Sequence, residues 1–101
     1  MKKLIAIYRV PGDAEAFLTH YREKHMPLAS KIPGLIRAEV TQIERTILGE
    51  AGNFLLAEMY FADADSFKAA MKSPENAATA ADLANFAEGL VTVMTGEVIE
   101  G

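Results

Sequence analysis

An unbroken apolar stretch near the start constrains this chain most. Leu4, Ile5, Ala6, Ile7, Tyr8 and Val10 fall within residues 3–10, and Pro11-Gly12 stops them. A run of that length without polar alternation predicts a strand buried on both faces. Its basic lead-in, Lys2-Lys3, resembles the start of a signal peptide, but the run is too short for an h-region and meets Arg9 at once. The chain must therefore supply neighbours on both sides of this strand and a cover on each of its faces.

The rest of the sequence supplies them in a regular order. Asp13 is placed to cap a helix with Glu15 in its first turn, running to about Lys24, and Pro27 to Ile32 predicts a kinked extension or a short separate helix before Pro33-Gly34. Residues 35–47 alternate as a half-exposed strand, with Ile36, Ala38 and Val40 on one face and Arg37, Glu39, Thr41 and Arg45 on the other. Gly49 to Asn53 reads as a hairpin connector. Phe54 to Phe61 is apolar on both faces apart from Glu58. Asp63 to Ser66 caps a second helical region that breaks at Ser73-Pro74 and resumes to Gly89, and residues 90–99 form the last strand. The Ala-rich segment Asn76 to Ala81 reads as helix lying close to the sheet.

This βαββαβ order predicts a single ferredoxin-like α+β sandwich, with an antiparallel sheet in the order 4-1-3-2. The first and third strands become central, in keeping with their apolar character. Two helices cover only one sheet face, so the apolar side chains of the other face predict a homodimer.

With 101 residues, half of them hydrophobic, one core suffices. Ten basic against fourteen acidic residues leave no footprint for nucleic acid or for an anionic membrane surface. Without cysteine there is no disulfide, thiol nucleophile or cysteine metal site, and a cytoplasmic protein is expected. Gly49 and Gly52 sit in the expected hairpin, not between a strand and a helix, so they form no nucleotide loop.

At 100° per residue, Phe17, Leu18, Tyr21, His25 and Leu28 share one helical stripe. His25 is thereby expected to face the sheet, whereas His20 is expected on a solvated flank near Glu23 and Lys24. That divergence, five residues apart, argues against a metal site. In a partly dry cleft the His25 imidazole could orient a carbonyl or exchange a proton; equally, it could be a structural residue that bonds helix carbonyls freed by Pro27. Tyr8, Tyr21 and Tyr60 offer hydroxyls or simply rings. Glu58 in an apolar strand requires a partner, with Arg9 or Arg37 across a dimer interface as candidates, or else it is a functional acid.

Tyr8-Arg9-Val10-Pro11, Phe17, Tyr21, His25-Met26-Pro27-Leu28-Ala29 and Ile32-Pro33-Gly34-Leu35 resemble the amino-terminal pattern of EthD-family proteins. Ala57-Glu58-Met59-Tyr60-Phe61 and Asp82-Leu83-Ala84-Asn85-Phe86 extend the likeness over nearly the whole chain. The resemblance implies a dimeric α+β barrel and a link to degradation pathways such as that of ethyl tert-butyl ether. Some members carry a reductase label, for which no nicotinamide or flavin motif is visible here. Enzymes similar in fold and motif include lactone isomerases, polyketide-type cyclases and cofactor-free oxygenases. In the isomerase branch the histidine matching His25 works with a cysteine, which this chain lacks, and with a second-strand tyrosine whose position is Ala38 here. What the resemblance implies is a metal-free, cofactor-free cleft for a small hydrophobic molecule, with His25 as acid/base or carbonyl-orienting group and Tyr8, Tyr21 and Ala38 in the ligand-binding wall. A non-catalytic binding or auxiliary protein for a hydrophobic metabolite is the alternative.

Overall fold

A computed structural model describes all 101 residues. Its strands β1 (Lys2–Arg9), β2 (Leu35–Gln42), β3 (Asn53–Phe61) and β4 (Val91–Glu97) form one antiparallel sheet in the order β2-β3-β1-β4. Between β1 and β2 the chain runs through α1 (Ala14–His20), a π-helical turn (Tyr21–His25) and α2 (Met26–Ala29); α3 (Ala64–Met71) and α4 (Pro74–Phe86) link β3 to β4. This is the ferredoxin-like α+β arrangement, with β1 and β3 central as their composition requires. No helix is long and apolar enough to cross a membrane.

Capping starts the helices where short polar side chains permit it. Asp13 accepts from the Ala16 N–H at 3.0 Å, Asp63 from the Ser66 N–H at 2.8 Å, and Ser73 from the Asn76 N–H at 3.1 Å with Pro74 just inside α4. The Ser73-Pro74 break is thus a change of helix, and it sets α4 across the sheet.

Strand alternation sends Leu4, Ala6 and Tyr8 of β1 and Leu55, Ala57, Met59 and Phe61 of β3 under the helices, where all are buried. Tyr8 packs edge-on against Phe17 at 5.4 Å and Tyr21 at 5.6 Å between ring centres. Burying each large side chain contributes about 1.5–3 kcal/mol, so this row fixes the helices on the sheet.

The π-helical turn is the local irregularity with most consequence. A regular helix through Pro27 would press the proline ring on the Glu23 carbonyl. The chain widens instead: the Met26 N–H bonds to the Tyr21 carbonyl, five residues back, before α2 resumes.

Two expectations about β2 fail. It ends at Gln42 rather than Ile47, because β3 begins only at Asn53 and offers nothing to pair beyond the Ile43–Phe54 bond; Ile47 and Leu48 are 87% and 93% exposed. A register shift between Leu35 and Arg37 also leaves Ile36 unpaired and 52% exposed, so Leu35 joins Ala38 and Val40 opposite the inward residues of β3.

On the helix-free face, Glu58 pairs with Lys3 at 2.6 Å within the same chain. The register explains this: Lys3 lies diagonal to Glu58 across the β1–β3 ladder, Arg37 bonds Glu39, and Arg9 lies over Gly52. Gly52 has φ +116° and its missing Cβ leaves space for the Arg9 guanidinium, so both the backbone and the contact favour glycine.

Candidate functional site: a histidine–carboxylate pair at an apolar cavity

Three helical segments bring the polar groups together. His25, the last residue of the π-helical turn, is buried, and its Nδ1 lies 3.0 Å from Oδ2 of Asp82 in α4. His20 Nε2 lies 3.0 Å from both Asp82 oxygens, and Asn85 Nδ2 donates to Oδ1 at 3.1 Å. His20 thus lies on the flank beside Glu23 and Lys24, as expected, but turns its Nε2 inward. Its side chain is 28% exposed, bonded to Asp82 and stacked on Phe86 with ring centres 4.5 Å apart. The cause is the π-helical turn: i→i+5 spacing brings residues 20 and 25 onto the same side, where a 100° wheel sets them apart. The two histidines converge on one carboxylate, yet no group of three or more His, Asp or Glu side chains is placed to hold a metal ion.

Asp82 is the functional-looking residue that sequence reasoning misses. On α4 it shares a face with Asn85 and Phe86, three and four residues on, and Phe86 also packs on His25 with ring centres 5.0 Å apart. The available signal is an acid on the buried side of an Ala-rich helix, in line with Thr79 and Phe86.

Electrostatics define the states of these groups. Burial is the largest influence on His25 and holds its pKa below the ordinary 6.5, against the upward pull of Asp82. For Asp82, burial is again the largest influence and disfavours ionisation, but the hydrogen bonds from Asn85, His20 and His25 together outweigh it and keep the acid below 3.8. The pair is thus carboxylate and neutral imidazole near neutral pH. Nδ1 then carries the proton and donates it to Asp82, which makes Nε2 an acceptor. Nε2 bonds to no protein group, and no sealed side-chain nitrogen or oxygen lacks a partner, so Nε2 keeps an opening.

Beside the imidazole lies a cavity of about 160 Å³ between the π-helical turn, α2 and the sheet. His25, Tyr8, Tyr21 and Ala38 all line it, together with Met26 and Met59. The structure thus brings the four sequence-predicted residues to one wall, with Ala38 providing space rather than a polar group. Burial, with Tyr21 and Asp82 nearby, raises the Tyr8 pKa, and burial pushes Tyr21 up to about 12. Both phenols remain neutral hydroxyls.

The pattern has relatives. The EthD domain model matches residues 11–89. The chain belongs to the EthD family. An EthD-family protein of Bacillus halodurans C-125 shares 43% identity, with 98% of this chain and 99% of that one covered and a TM-score of 0.91. An uncharacterised 11.0 kDa protein of the thcB-thcC intergenic region of Rhodococcus erythropolis is 35% identical over 94 residues, 93% of this chain and 91% of that one. More distant solved structures share the fold. One is a mutant form of SnoaB of Streptomyces nogalater, a cofactor-independent oxygenase (15% identity, TM-score 0.70, covering 99% and 94%); another is a dimeric ferredoxin-like protein of Thermobifida fusca (14%, 0.69, 96% and 90%).

Proposed function

We propose that this EthD protein is a cofactor-independent enzyme that transfers a proton to or from the carbon next to a carbonyl in a small, mostly apolar compound, in the breakdown of such compounds. Nε2 of His25 is the general base. Asp82 keeps the proton on Nδ1, orients the ring and stabilises the imidazolium that forms. Tyr8 and Tyr21, neutral donors in the same wall, are the groups available to the carbonyl oxygen as negative charge develops there. The supporting observation is the 3.0 Å His25–Asp82 bond, which leaves Nε2 as an unpaired acceptor on a ring that lines an apolar cavity. SnoaB, which shares the fold at 15% identity, is described as a cofactor-independent oxygenase, in keeping with chemistry that needs no cofactor.

The test is exchange of the α-protons of small ketones and lactones into D2O, followed by proton NMR. Wild-type protein accelerates exchange, and His25→Gln reduces the acceleration by about 100-fold or more. Ligand-induced shifts without accelerated exchange would replace the enzyme by a binding protein; unchanged exchange in His25→Gln would remove His25 from the chemistry.

We further propose that two copies pair through the helix-free sheet face. Ile5 and Ile7 of β1, Leu56 of β3 and Met94 of β4 stand there, and no helix covers them. The dimeric state of the Thermobifida fusca protein supports the same arrangement.

A further inference from the structure

A second cavity, of about 270 Å³, lies beneath α4 on the other side of His25. Ala80 and Leu83 of α4 and Val93 of β4 contribute to its walls, and most of its lining is apolar. It adjoins the space beside α2, and the two share Tyr8, His25 and Met59. The imidazole therefore stands between two apolar chambers, with a phenol beside it, and each chamber belongs to a different helical half of the fold.

We propose that the two chambers form one two-lobed site for a carbonyl compound with an apolar substituent on each side of the carbonyl. This rests on the reading of His25 as the group that meets the carbonyl carbon's neighbour. The carbonyl lies at the divider, against His25 and Tyr8. One substituent enters the chamber beside Ala38 and the other the chamber beneath Ala80. Selectivity follows from geometry rather than from hydrophobicity. A carbonyl near the end of a long chain places nearly all its carbons on one side and leaves the other chamber all but empty; a central carbonyl fills both. Each buried methylene adds favourable transfer free energy, so two ketones of the same formula differ by how much chain the site can bury. Met59, on the shared wall, has an unbranched and adaptable side chain that suits a divider serving substituents of different width.

Isomeric ketones test this directly: 5-nonanone has a butyl group on each side, 2-nonanone a methyl and a heptyl, and 2-butanone is small enough for one chamber. Dissociation constants are read from NMR titration of the protein. Wild-type protein binds 5-nonanone about tenfold tighter than 2-nonanone. Ala80→Leu and Val93→Phe approach the second chamber from opposite walls, helix and sheet, so that one serves if the other perturbs folding. Each variant removes the preference while 2-butanone binds as before. Ala38→Leu narrows the first chamber and weakens both nonanones. Equal affinity for the two isomers in wild-type protein, or a preference that survives both filling variants, overturns the two-lobed site. Binding of 2-butanone without any preference does so while leaving the His25 reading intact; failure of all three ketones to bind overturns both.

Discussion

Two carboxylates, Asp82 and Glu58, lie on opposite sides of the sheet and meet the cost of leaving water in different ways. Asp82 sits under the helical layer, its side chain 8% exposed, with Asn85 and two histidines around it. Glu58 lies on the helix-free face at 18% exposure, with one full cation, Lys3, at 2.6 Å. The Lys3 pair neutralises a charge. The arrangement at Asp82 does more, because a neutral imidazole that donates through Nδ1 is left with a free acceptor at Nε2. Two largely buried carboxylates thus serve a structural ion pair on one face and a neutral imidazole with a free acceptor on the other; the partner's chemistry makes the difference.

The largest effect that sharpens this contrast is expected from Asp82→Asn. The amide offers one acceptor oxygen where the carboxylate serves three donors, His20, His25 and Asn85. Its NH2 group then faces an imidazole nitrogen and favours the tautomer that puts the proton on Nε2. Proton exchange falls by about 100-fold or more, and the stranded donors cost about 1–3 kcal/mol of folding stability by urea unfolding. Exchange and stability both at wild-type level would show Asp82 to be dispensable and end the contrast.

How much of this is legible in the sequence follows the range of the interactions. The strand Lys2–Arg9 announces itself because a central strand carries apolar residues at successive positions. His25 is legible through its stripe with Phe17 and Tyr21, a local property of one helix. Asp82 is not, since its role depends on a bond spanning 57 positions, and nothing in α4 alone says what it will meet. The inward turn of His20 escapes periodicity because Pro27 induces a π-helical turn, and the wheel that places residues on a regular helix has the wrong period there. The partner of Glu58 depends on a diagonal between strands, set by register rather than by residue type.

The next effect is in pH dependence. Unfolded, His25 takes up a proton near 6.5; folded, burial first of all holds its pKa lower. As pH falls through 6.5 the unfolded state binds a proton that the folded state refuses, so stability drops on acidification, by at most about 1.4 kcal/mol per pH unit from this group. The slope ends below the folded pKa of His25, and the contribution is fully present above 6.5. Asp82 acts in a lower window: its depressed pKa stabilises the fold above 3.8, and that part disappears as pH falls through its folded value. Urea midpoints measured from pH 7.5 to 5 decline in wild-type protein and decline less in His25→Gln. Identical slopes in the two proteins would mean that the buried imidazole does not titrate as its surroundings require.

Glu58→Gln carries the smallest effect at the cavity beside His25, and for that reason it separates the two carboxylates most cleanly. The substitution keeps the shape of the side chain and an acceptor for Lys3 while removing the charge. Lys3 holds its proton above the ordinary 10.5, chiefly through its hydrogen bond to Glu58, so the pair's contribution is present at neutral pH and lost as pH rises through the folded pKa of Lys3. On the helix-free face Glu39 stands directly opposite Glu58, and Arg37 bonds Glu39 while its guanidinium lies 4.4 Å from the centre of the Tyr60 ring. Removing one acid from this cluster leaves Lys3 with a weaker partner and relieves the repulsion between two facing carboxylates. Those changes oppose each other, so proton exchange stays within about twofold of wild type and folding changes little. If the face joins two copies, the same charges meet their counterparts at its rim, and Glu58→Gln alters the salt dependence of dimer dissociation in sedimentation more than it alters the midpoint of unfolding. A loss of proton exchange as large as that of Asp82→Asn would show that the charge on the helix-free face reaches through the sheet to His25, and the two carboxylates would then belong to one site.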